Sequence, residues 1–84
     1  MEQIAAEADL MQARAFAAQF TAQRRDLEQQ LSRHTESLAA ANLVGDSRGA
    51  ALARRSIRDA ETDLRDIDRI LETIGRRFPV QVSP

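Results

Sequence analysis

The apolar residues of the second half of the chain, Ala50, Ala53, Ile57, Ala60, Leu64, Ile67, Leu71, Ile74 and Phe78, recur at alternating spacings of three and four. An α-helix turns once every 3.6 residues, so this alternation gathers them on one stripe of one helix; a strand, whose side chains alternate every second residue, would scatter them over both faces. A stripe with a mean spacing of 3.5 is a coiled-coil seam, and a seam has to face another helix. The same chain supplies one. Upstream, Leu10, Ala13, Ala17, Phe20, Arg24, Leu27, Leu31, His34, Leu38 and Ala41 carry the same alternation, apolar except at Arg24 and His34.

Between the two series lies "NLVGDSRG". Gly45 suits the left-handed residue that commonly ends a helix, and Asp46 or Ser47 offers a side-chain oxygen to the free amides of the next one. The expected organisation is a single hairpin domain over 1–78, with a first helix over about 2–42, a turn at 43–47 and a second helix over about 48–77. Gly75, the arginines at 76 and 77, and Pro79 together mark the second stop, leaving 79–84 as an extended tail. A short connection makes long helices antiparallel neighbours, which sets Leu38 near Ala53, Leu27 near Leu64 and Phe20 near Leu71. The expected fold class is therefore all-α, an antiparallel two-helix coiled-coil hairpin.

Size argues for company. A chain of 84 residues buries only about 60% of the surface its unfolded form exposes, so a lone hairpin is marginal and association is the usual remedy. The first helix carries a second stripe, Ile4, Ala8, Met11, Ala15, Ala18 and Ala22, on the side opposite its seam, and beyond Ala22 that side turns polar at Arg25, Gln29, Ser32 and Glu36. A helix apolar on both sides is normally covered on both sides. The second helix is also shorter, so the first dozen or so positions overhang it, and Ile4, Leu10 and Met11 are expected to face water in a monomer. The candidate protein interface is thus Ile4, Leu10, Met11, Phe16 and Phe20, joined by Ile70 and Phe78. A second copy or another helical subunit docked there would complete a four-helix bundle. The competing way to cover the overhang is a tail folded back through Phe78, Val80 and Val82.

Two polar residues interrupt the first seam. Arg24 either meets a carboxylate among Asp63, Asp66 and Asp68 and so fixes register, or lays its stem along the seam and sends its guanidinium to water. His34, level with Ser56 and Ile57, is expected to be a half-exposed residue, with a pH switch as the sharper alternative.

The charges of the second helix form a solvated surface. Arg55, Arg58, Arg65, Arg69 and Arg76 fall opposite the seam, with Asp59, Glu61, Asp63, Asp66 and Asp68 on the flanks, so that pairs four apart such as Arg55 with Asp59, Glu61 with Arg65 and Glu72 with Arg76 neutralise one another. An alternative use of Arg55, Arg58, Arg65 and Arg69 is to follow a nucleic-acid backbone. The interspersed acids oppose it, as do the net charge of −1 and the lack of tyrosine and tryptophan for stacking on bases.

Other chemistry finds little foothold. Without cysteine there is no thiolate catalysis or cysteine metal site, and one histidine does not make a metal site alone. General acid–base work needs carboxylates held in a concave site, which a two-helix hairpin does not offer. No apolar run approaches the roughly 18 residues of a membrane span, and "MEQIAAEADL" is acidic where a secretory signal is basic. The expectation is a cytoplasmic, non-enzymatic protein–protein interaction module with no cofactor, metal or membrane partner, self-associating as a homodimer or docking as a helical subunit. Its alternatives are the nucleic-acid binder and a small chaperone or adaptor that orders on binding its partner.

Overall fold

A computed structural model of the protein describes the backbone of residues 2–78 and the side chains of residues 6–78. The expected extended tail at 79–84, and the side chain of Ile4, lie outside the described residues. Two helices, α1 (Glu2–Leu43) and α2 (Ser47–Arg77), pack side by side as an antiparallel, all-α hairpin.

The turn is built by three hydrogen bonds and one carboxylate. Gly45 has φ 72°, the left-handed region that costs an L-residue with a Cβ roughly 1–2 kcal/mol. From there its N–H donates to the Asn42 carbonyl, and the Asp46 N–H reaches back to the Ala41 carbonyl at 2.8 Å. Those two bonds satisfy two of the free carbonyls in the last turn of α1 in the Schellman pattern. Asp46 then becomes the N-cap of α2: its side chain accepts from the Gly49 N–H at 2.9 Å, while its carbonyl accepts from the Ala50 N–H. A Cβ on Gly49 would collide with that capping carboxylate. The second glycine of the turn therefore belongs to the cap, inside the first turn of α2.

Both seams face inward. In α2, Ala50, Ala53, Ala60 and Ile67 are buried and Ile57, Leu64, Leu71, Ile74 and Phe78 half-buried; in α1, Ala13 and Ala41 are buried and the other seam positions half-buried, Arg24 and His34 included. Leu10, expected to face water, is half-buried too. Its seam position turns it toward α2, whose hydrogen bonding runs one residue past Arg77 through the Phe78 N–H to the Ile74 carbonyl.

Size decides what is buried. Apart from Ile67, every buried residue of this core is an alanine. Alanines let two backbones approach closely, whereas a larger seam side chain reaches past the contact and is covered from one side only. Among the described residues no side chain is completely enclosed. The helices also differ in character: α2 is strongly one-sided in its apolar pattern, while α1, apolar front and back near its start, is barely one-sided at all. With 42 residues against 31, α1 outruns α2 by about 16 Å at 1.5 Å per residue. The molecule is a rod of 65 × 25 × 15 Å.

Candidate interaction groove

The two long flanks of the hairpin are chemically different. On one, Arg24 reaches out of the seam and closes the space between the helices. Its Nε donates to Asp68 Oδ1 at 2.6 Å and its Nη1 to Glu28 Oε1 at 2.7 Å. The hydrogen bond and charge of Asp68, followed by the charge of Glu28, raise the guanidinium's proton affinity above its usual value. Of the two readings of Arg24, the carboxylate partner is the one found, and the partner is Asp68. The residues that flank the seam on this side, Arg14, Thr21, Glu28 and Thr35 of α1 with Arg54, Glu61 and Asp68 of α2, include no apolar side chain.

The other flank is open. Three hollows follow one another along it, from Asp9 and Phe78 at the free end to His34 and Ser56 nearer the turn. Their linings repeat every seven residues. Ala13, Phe20, Leu27 and His34 of α1, with Ala60, Ile67 and Ile74 of α2, make a floor; Asp9, Phe16, Gln23 and Gln30, with Ser56, Asp63, Ile70 and Arg77, make two rails. Each helix thus presents its floor residues and the residues three positions further on to the same trough, as heptad geometry requires of antiparallel neighbours. The two hollows nearer the free end measure about 330 and 470 Å³, in the range of small-molecule pockets. They lie open along their length, however, and do not enclose a ligand as such pockets do.

Phe16, 47% exposed, and Ile70, 38% exposed, stand on these rails. Phe20 and Phe78 line the same trough from half-buried seam positions, with the Arg77 guanidinium 5.7 Å above the Phe78 ring. Four of the candidate interface residues are therefore brought together. Met11 is not among them: 70% exposed, it lies with the exposed Ala8, Ala15, Ala18 and Ala22 on the back of α1. His34, half-buried, sits in the third hollow with Ser56, Asp59, Ala60 and Asp63.

The outer arginines Arg55, Arg58, Arg65 and Arg69 are all exposed. Of the three pairs expected at a spacing of four, Glu72 with Arg76 is present, and the other contacts differ. Arg69 bonds Asp66 at 3.0 Å and Arg65 donates to the Thr62 hydroxyl at 3.2 Å, each one short turn back, while Arg76 and Glu72 stand 3.9 Å apart. Neither Arg55 with Asp59 nor Glu61 with Arg65 forms an ion pair, because these long exposed side chains gain little by holding one geometry in water.

One apolar feature escaped the sequence reading. Leu43, Val44 and Leu52, at the turn end, are exposed, Leu43 at 88%. Leu52 lies off the seam, which was its visible signal; Leu43 closes α1 and Val44 opens the turn, both exposed. Among the described residues no group of histidines and acids could hold a metal ion, and no helix is long and apolar enough to cross a membrane. Comparison with protein-family models, curated proteins and solved structures finds no match to this chain.

Proposed function

We propose that the hairpin is a non-enzymatic, cytoplasmic protein–protein interaction module, self-associating or docking as a helical subunit, and that further helices cover its open flank to complete a bundle. One observation carries this reading: the buried core is almost all alanine, while Phe16 and Ile70 stand exposed on the rails and Phe20 and Phe78 are half-exposed beside them. Covering apolar surface of this kind is worth about 25 cal/mol per Å². A two-helix layer leaves that stabilisation unused, and a third or fourth helix recovers it.

The test is the native mass of the pure chain and of the Phe16→Asp/Ile70→Asp variant over a concentration series, with helix content followed by circular dichroism. Concentration-dependent association that the variant loses while remaining helical supports self-association. A subunit that docks elsewhere stays at 9.4 kDa and gains mass only with its partner, and the same variant then abolishes that gain. The arginine surface of α2 does not lead to a nucleic acid in this reading, because Asp66 already holds Arg69 and acids alternate with the rest.

A further inference from the structure

We infer that the open flank takes a basic amphipathic helix of another protein, its apolar stripe seated on Phe20, Leu27, Ile67 and Ile70 and its arginines or lysines set against the aspartates of the rim. The inference rests on the interaction-module reading and adds to it the chemistry of the partner. Charge decides the occupant. The chain as a whole is nearly neutral, with a net charge of −1, but its charges are segregated. Five aspartates, Asp9, Asp26, Asp59, Asp63 and Asp66, line the hollows, against one arginine, Arg77, at the free end.

The middle hollow has the sharpest pattern: an apolar floor, two glutamines, and Asp26, Asp63 and Asp66 with no basic residue in its lining. Asp66 is drawn outward by Arg69 of its own helix. Asp26 and Asp63 make no ion pair among the described residues. Toward the turn Arg33 joins the outer edge of α1, so the acidic stretch is centred on the middle hollow.

A second copy fits this trough poorly. Laying groove on groove would bring one set of aspartates against the other. The apolar back of α1 near its start is edged by Glu7 and Arg14 on one side and by the neutral Gln12 and Gln19 on the other, so it offers no basic rim to meet the aspartates. The arginine ridge of α2 has the right charge but no apolar stripe to fill the floor. A foreign helix with apolar residues at every third and fourth position, edged by basic ones, satisfies floor and rim together, in the helix-in-groove mode of recognition. The trough from Asp9 to His34 is about 38 Å long at 1.5 Å per residue, or seven turns of such a helix.

The probe is a synthetic peptide of about 25 residues with a leucine–alanine stripe of helical spacing and arginine flanks; its control has the same stripe and glutamate flanks. Binding to the full chain is read by fluorescence anisotropy at low and at roughly 0.5 M salt, where exposed charges more than about 4 Å apart are screened. The arginine peptide is expected to bind at least ten-fold tighter than the glutamate peptide and to lose most of that advantage in high salt. The Asp26→Asn/Asp63→Asn/Asp66→Asn variant should lose it too, while remaining fully helical, and Phe16→Asp/Ile70→Asp should abolish binding. Equal binding of both peptides overturns the inference. So does self-association that the asparagine variant strengthens and that excludes the peptide, since the occupant is then a second copy; the interaction-module reading survives that result. A chain that neither binds the peptides nor associates defeats both.

Discussion

Arg24 of α1 holds Asp68 of α2 at 2.6 Å and Glu28 of its own helix at 2.7 Å. The Arg24–Asp68 contact is the one ion pair between the helices among the described residues, and it stands in the middle of a series that is otherwise apolar apart from His34. Pairs this exposed contribute little to stability, whereas a charge placed in a seam restricts which registers are tolerated. Arg24→Leu, which makes the α1 seam apolar without a break from Leu10 to Leu31, should therefore raise the thermal midpoint by roughly 5 °C. Asp68→Ala should shift it by much less. A fall in the midpoint for Arg24→Leu, measured by circular dichroism, would mean that the pair and not the seam dominates at this level.

The turn supplies a second expectation. Gly45→Ala forces a Cβ into the left-handed region and should cost about 1 kcal/mol. Asp46→Ala removes the cap on the Gly49 N–H and should cost about 1 kcal/mol as well. Urea titrations of the two single variants should show lower midpoints at unchanged slope. A turn that serves only as a tether would leave both midpoints where they were.

Close approach of the helices depends on small residues. Ala60 is 5% exposed and faces α1, so Ala60→Leu should force the backbones apart and destabilise the hairpin by about 1–3 kcal/mol. Ile67→Ala should cost about 2 kcal/mol, near the low end for such truncations because a two-helix layer can partly collapse around the gap. If Ala60→Leu instead stabilises the chain, the helices are held further apart than described.

The back of α1 separates two ways of associating. Met11→Asp should leave binding of an arginine-flanked helix within about two-fold of the original, because Met11 lies outside the trough lining. Anisotropy on that single variant checks it. A large loss would move the docking surface to the far side of α1.

Much of this was legible in the sequence because burial in a two-helix hairpin is set by period. The three-and-four alternation from Ala50 to Phe78 and its counterpart from Leu10 to Ala41 fall on positions that are buried or half-buried, and Gly45 takes the left-handed conformation its place before Asp46 suggests. The difference between the flanks was not legible in the same way. Seam spacing says that a residue faces the partner helix, but not to which side of the contact it leans; that depends on pairing Asp9, Phe16, Gln23 and Gln30 with Ser56, Asp63, Ile70 and Arg77 across an antiparallel interface. Reading Phe16 and Met11 as one surface joined two sides of α1 that the fold holds apart. Arg24 left several aspartates open, because neighbouring positions on α2 differ by a few ångströms along the rod and by a whole flank around it.

The most direct test uses the absence of cysteine from the chain. Ile70→Cys places a thiol on a rail of the trough, and Glu61→Cys places one on the opposite flank. Alkylation rates of the two are compared in dilute protein, at rising concentration, and with the arginine-flanked helix added. A covered trough should slow the reaction at position 70 at least ten-fold once the hairpin is associated, leaving position 61 unchanged. Equal rates at the two positions under every condition would show that the open flank stays bare, and would contradict the reading of this hairpin as an incomplete bundle.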